Sequence, residues 1–203
     1  RENGLPFDSI PDNLVFNQTN VNRIPYPDNT FDVVLSWASL EHVYGGYGQV
    51  LREVKRVLKD GGLFFVHPGL YYSNFGHHLG EFSKEPFFHL TKTPDELKEL
   101  VFTAPPNYID RGGVEYTPAD FWRYYSELNK ITVSKIEGEL RALDFQFHKV
   151  AVRTEDVITY TPELQHYSLQ DLTTQELYIS VVNRKPAVES QPCTRAVPPK
   201  RSS

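Results

Sequence analysis

The sequence predicts an α/β fold built on a parallel sheet, and three observations carry that expectation. The short apolar run Phe31-Asp32-Val33-Val34-Leu35-Ser36 has the pattern of a strand buried on both faces. Val50, Leu51, Val54, Val57 and Leu58 then recur at helical spacing, with Arg52, Glu53, Lys55, Arg56 and Lys59 on the opposite side. Leu63-Phe64-Phe65-Val66 follows as a second buried strand. Strand, helix and strand within about 37 residues make a βαβ unit, which requires parallel pairing and a right-handed crossover.

The elements around this unit follow in chain order. Tyr26-Pro27-Asp28-Asn29-Thr30 is turn chemistry leading into the first strand. Asp60-Gly61-Gly62 predicts the helix stop, with glycine in the left-handed cap conformation. Thr93-Pro94-Asp95-Glu96 offers an N-cap, a proline at the first helical position and a glutamate at N3, and Leu97, Leu100 and Val101 supply the apolar face. Thr117-Pro118-Ala119-Asp120 predicts the start of a longer helix through Phe121, Tyr125, Leu128, Ile136, Leu140 and Leu143. Thr161-Pro162 opens a turn or short helix. Phe145 to Val152 and Leu177 to Val182 read as strands. Residues 184–203 are basic and proline-rich, as expected of a disordered tail.

Residues 70–115 differ in character, holding Tyr71, Tyr72, Phe75, Phe82, Phe87, Phe88 and Tyr108 together with His77, His78 and His89. This aromatic insert follows the second strand, so it lies over the carboxyl edge of the sheet, where open α/β folds bind ligands. It forms either the wall of a substrate pocket or an aromatic mini-core that holds a long excursion together.

Composition narrows the function. Of 203 residues 39% are hydrophobic and 23% charged, so the chain can build a core. No run approaches the roughly 20 apolar residues that span a bilayer, which argues against a membrane protein. A net charge of −5 argues against nucleic-acid binding by bulk electrostatics. The single cysteine, Cys193, cannot form an internal disulfide and fits a reducing, cytoplasmic compartment. The sequence contains no methionine and begins with Arg1, so a processed or truncated start is expected. Asn17-Gln18-Thr19 matches the glycosylation sequon, with nothing else to suggest secretion.

Ile24-Pro25-Tyr26-Pro27-Asp28-Asn29-Thr30-Phe31-Asp32-Val33-Val34-Leu35-Ser36 is followed by Leu40-Glu41-His42-Val43 and by Leu51 to Gly62. In order and spacing this series resembles the third and fourth motif region of class I S-adenosylmethionine-dependent methyltransferases, in their type-11 branch. Leu140-Arg141-Ala142-Leu143-Asp144-Phe145 is similar to the last helix of that family running into its sixth strand, and Leu177 to Val182 to its seventh. The resemblance implies a Rossmann-like, doubly wound sheet with S-adenosylmethionine at its carboxyl edge. Residues 1–183 would then be the C-terminal portion of a methyltransferase domain, interrupted by the aromatic insert. The implied activity is methyl transfer to an O or N nucleophile of a small molecule. The alternative is a non-catalytic relative that uses the scaffold to bind a ligand or protein.

The resemblance carries over residue by residue. Asn20 stands where the family often has an aspartate accepting from the adenine amino group, and its side-chain oxygen can still accept. Val21 would offer its backbone N–H to the ring. Ser36 and Trp37 end the first strand at the cofactor edge, where an aromatic face attracts a cation; Trp37 as a core plug is the other reading. His42 is the candidate general base, in the first turn of a helix, or else Glu41 and His42 merely fix the loop. Tyr71, Tyr72, His77 and His78 are expected to line the substrate pocket. No metal site is expected from His77-His78-x-x-Glu81, because adjacent histidines point in different directions.

One departure from the family is large. Its glycine-rich loop and the acid that binds the ribose hydroxyls have no counterpart here, and Gly45-Gly46-Tyr47-Gly48 stands in the wrong place. The match begins near a third strand, expected at Leu14 to Asn17. Without the family's first strand a gap in the middle of the sheet is expected, so this chain alone should bind the cofactor poorly and fold incompletely.

Overall fold

A computed structural model describes residues 13–109 and 115–185 of the chain. From residue 186 onward the expected tail lies outside the described residues.

The βαβ unit forms as the apolar pattern predicts. Strand β1 (Phe31–Trp37) is followed by a 3-10 turn at Leu40–His42, helix α1 (Gly48–Val57) and strand β2 (Leu58–His67). β1 and β2 pair in parallel, from Val33 opposite Leu63 to Trp37 opposite His67. The helix ends earlier than expected. Leu58 is already extended at ψ 138°, and Asp60-Gly61-Gly62 lie within β2 rather than forming its cap. The reason is that the turn before β1 supplies the capping donors. Thr30 N–H donates to the Val57 carbonyl at 2.7 Å and Asn29 N–H to that of Arg56 at 3.1 Å. The glycines serve the strand instead. Gly61 bends it with φ +76°, and a Cβ on Gly62 would stand 2.9 Å from the Lys59 carbonyl oxygen.

Four helices follow in and beyond the insert: α2 (Phe88–Thr91), α3 (Pro94–Thr103), α4 (Pro118–Ser126) and α5 (Val133–Ala142). The capping box at Thr93 is present, and Thr117 with Asp120 makes a second one. The long helix expected after Thr117 is broken in two. Residues 127–132 leave the helical path, Asn129 turns toward the carboxyl edge of the sheet, and Thr132 caps a fresh start by accepting from Lys135 N–H at 3.1 Å. Strand β3 (Phe145–Thr154), a 3-10 turn at Pro162–Leu164, helix α6 (Leu169–Thr173) and strand β4 (Thr174–Asn183) complete the described chain.

The sheet order is β1-β2-β4-β3, with β4 antiparallel to both of its neighbours. Val50, Leu51 and Val54 of α1 and Ile136 and Leu140 of α5 pack on Phe64, Val66, Ile179 and Val181 to form the main core. The opposite face is open. Val33, Leu35 and Trp37 are 58%, 64% and 55% exposed, so among the described residues the sheet is wound on one face rather than two. Leu14 to Asn17 form no strand and are exposed. Instead of the expected central gap, β1 is an edge of a continuous sheet. No helix among the described residues is long and apolar enough to cross a membrane.

Asn183 locks the junction between α1 and β2. Fully buried, it donates through Nδ2 to the carbonyls of Lys55, Leu58 and Lys59 at 3.1, 3.1 and 3.2 Å. Asn183→Ala orphans these groups and should lower unfolding free energy by about 3 kcal/mol. Thr93→Ala, which removes one exposed cap, should cost about 1 kcal/mol. Urea titrations of the two variants test that order.

Candidate functional site at the carboxyl edge

The carboxyl ends of β1 and β2 are crossed by one short segment. Ala38 takes a left-handed φ of 44° and donates its N–H to the His67 carbonyl at 2.7 Å, keeping the two strand ends together. Ser39 Oγ donates to the Trp37 carbonyl at 2.6 Å. The chain then bends into the 3-10 turn, where Leu40 enters the main core and His42 remains exposed. Asn129 holds this turn, donating through Nδ2 to the Leu40 and Val43 carbonyls at 2.8 Å each and through its backbone N–H to Glu41 at 2.7 Å.

Glu41 is 1% exposed, and among the described residues neither carboxylate oxygen has a hydrogen-bond partner. Its space depends on Gly69, just beyond β2, where a Cβ would stand 2.7 Å from Oε1. His42 Nε2 lies 4.0 Å from that oxygen. His78 of the insert meets His42 ring to ring at 4.8 Å, and Tyr124 flanks His42 at 6.0 Å. One ligand atom from each of Glu41, His42 and His78 lies within 4.8 Å of the others.

The insert is largely an aromatic mini-core. Tyr71 and His77, expected in the substrate pocket, are buried at 4% and 2% exposure. The Tyr71 hydroxyl shares a 2.9 Å hydrogen bond with that of Tyr125, and His77 stacks on His89 with ring centres 4.0 Å apart. Leu79 N–H donates to His77 Nδ1 at 3.1 Å, which leaves Nε2 to donate to the Asn74 carbonyl at 3.0 Å. His89 donates through Nε2 to the Tyr71 carbonyl at 2.9 Å, while its Nδ1 has no partner among the described residues. Burial pushes the His77 ring down to about 4 and the His89 ring to about 2, the latter helped by His77 and Lys130. Tyr72 is half-buried between Tyr71 and Tyr167. Of the four pocket candidates, only His78 reaches His42.

The cofactor candidates are placed as follows. Ser36 is half-buried in β1 opposite Val66. Trp37 is no core plug; its ring lies on the open face with Phe65 at 6.1 Å, His67 at 4.7 Å and Tyr178 at 5.8 Å. The Asn20 side-chain oxygen already accepts from Asn22 N–H at 2.9 Å, and Val21 is 43% exposed. Sequence reasoning saw Glu41 only as a loop residue. Its adjacency to His42 was visible, but its burial comes from Asn129 and Gly69, which are distant in sequence.

Comparison with known proteins bears on this edge. Residues 5–66 match the family model described as "Methyltransferase domain". The chain is 38% identical over 63 residues to the sterol 24-C-methyltransferase ERG6B of Gibberella zeae, which covers 31% of this chain and 16% of that protein. It is 44% identical over 55 residues to the ubiquinone/menaquinone biosynthesis C-methyltransferase UbiE of Hahella chejuensis, covering 27% and 22%. The chain thus spans less than a quarter of the length of these curated relatives. Among solved structures, the geranyl diphosphate C-methyltransferase of Streptomyces coelicolor aligns at 13% identity and a TM-score of 0.45, over 82% of this chain and 52% of that one.

The buried His89 gives a pH prediction. Its folded pKa is depressed from 6.5 to about 2. Below pH 6.5 the unfolded chain takes up a proton that the folded chain refuses, so stability present at neutral pH falls as pH drops. The His89 contribution to that loss should reach about 2 kcal/mol by pH 5. In urea titrations from pH 7 to pH 5, His89→Phe should flatten the slope; an unchanged slope would contradict this.

Proposed function

We propose that the protein containing this chain transfers a methyl group to an O or N nucleophile of a small molecule. The observation that carries this reading is the methyltransferase-domain match of residues 5–66, which ends within β2 and includes the turn that crosses the carboxyl edge. The methyl donor is S-adenosylmethionine, which supplies an already activated sulfonium.

The residues of this edge fit such a donor. The exposed Trp37 ring at the end of β1 offers a π face to a cation. Asn20 and Val21, exposed before β1, are the adenine-side candidates, and the Asn20 oxygen keeps a lone pair beyond its bond to Asn22. Ser36 completes the cofactor side. On the acceptor side stand His42, Tyr72 and His78, with Tyr71 and His77 supporting them from the mini-core. When bound here, the donor would supply a methyl group open to in-line attack by the acceptor's lone pair, its sulfur keeping the electron pair of the bond that breaks. The acceptor's proton passes to His42, the exposed base of this edge. Positioning supplies most of the rate. The acidic chain favours a small acceptor over a nucleic acid, and the lone Cys193 favours the cytoplasm.

Calorimetry of the full-length protein with S-adenosylmethionine tests the reading. Binding is expected, with Trp37→Ala and Asn20→Leu each weakening it about tenfold, near the worth of one desolvated cation–π contact or hydrogen bond. No binding heat, together with no turnover on a panel of O and N acceptors, would leave the chain a non-catalytic scaffold.

A further inference from the structure

We propose that Glu41, His42 and His78 bind a divalent transition-metal ion, with Zn²⁺ the best fit. The argument starts from Glu41. A carboxylate buried without a partner costs several kcal/mol unless a cation or hydrogen-bond donor compensates it. Among the described residues both of its oxygens lack a donor, while the backbone of the same residue is fixed by Asn129. Gly69 leaves room for the carboxylate where any Cβ would stand 2.7 Å from Oε1. A buried acceptor is thus held in place, and two imidazoles stand beside it.

The donor set selects the ion. Two imidazoles and one carboxylate are the three protein ligands of an open tetrahedral zinc site, with the fourth position left for water or substrate. Magnesium and calcium favour all-oxygen sets, so they fit poorly here. The three ligand atoms lie within 4.8 Å of one another. Around zinc, with bonds of about 2.0–2.2 Å, they would stand about 3.4 Å apart. Closing that difference requires only small rotations of His42, which is exposed, and His78, which is half-buried. His77 takes no part, because it is turned inward onto His89. The adjacent histidines do point apart, as the sequence implied, yet the outward one meets a glutamate and a histidine from another loop. No local pattern displays this set, because His42 and His78 are 36 residues apart in a chain folded back on itself.

Binding of the ion does not depend on the methyl-transfer reading, but its role does. An acceptor oxygen or nitrogen in the fourth position would give up its proton more readily, as zinc-bound water does. His42 would then serve as a ligand, and the proton would leave to solvent.

The test is a Zn²⁺ titration of chelator-treated protein by calorimetry, with metal content measured after desalting. One zinc per chain is expected, together with a rise in Tm. Glu41→Gln and His78→Ala should each weaken binding at least about tenfold, with circular dichroism unchanged. His166→Ala, an exposed histidine on a different segment, should bind zinc like the parent. Absence of zinc binding, or undiminished binding in both ligand variants, would overturn the site. Should either variant fail to fold, His42→Ala at the exposed ligand decides in the same way. S-adenosylmethionine binding measured in chelator keeps failure of the metal site separate from failure of the methyl-transfer reading.

Discussion

One side-chain amide ties the carboxyl edge together. Asn129 spends its two Nδ2 protons on the Leu40 and Val43 carbonyls and its backbone N–H on that of Glu41. These groups would otherwise be unpaired acceptors in a tight turn at the end of a strand. To reach them, the chain must leave the helical path between α4 and α5. The interrupted helix and the fixed turn are therefore one event. The same contacts hold Leu40 in the main core and Glu41 beneath Gly69, and they leave His42 outward beside His78. Loosening that turn would part His42 from His78 and Glu41 from its place beneath Gly69.

The βαβ unit was legible in the sequence because its signals are local and redundant. A continuous apolar run, a helical stripe and a second run leave one topology, and the capping boxes at Thr93 and Thr117 marked their helix starts. The misplaced boundaries have non-local causes. Asp60-Gly61-Gly62 reads as a helix stop, but Thr30 and Asn29 cap α1 earlier, and the glycines fall within a bulged strand. The periodicity from Phe121 to Leu143 reads as one helix, since nothing near Asn129 announces a partner 86 to 89 residues away. The expectation of a strand at Leu14 to Asn17 rested on family order alone, and no pairing supports it here.

The site was legible only in part, for a related reason. His42 could be singled out because it follows a strand end at the ligand-binding edge. Within the insert, sequence supplies aromatic and imidazole groups without saying which face inward. The mini-core takes Tyr71, His77 and His89, whose side-chain polar atoms, His89 Nδ1 aside, are met by the Tyr125 hydroxyl, the Leu79 N–H and two carbonyls, and it presents His78. The burial of the Glu41 carboxyl was invisible, since it is set by Asn129 and Gly69. On the other side, the exposed apolar face of β1 distinguishes Trp37 from a core plug, and no local pattern could have revealed it.

The central claim is that the cofactor and acceptor meet at the carboxyl ends of β1 and β2. Backbone amide chemical shifts, followed as S-adenosylhomocysteine is added to the full-length protein, test this most directly. The largest changes are expected at Ser36, Trp37 and the Leu40–Val43 turn, with smaller ones at Asn20, Val21 and His78. Changes that leave these residues unmoved and fall instead on β3 and the Pro162–Leu164 turn would contradict it.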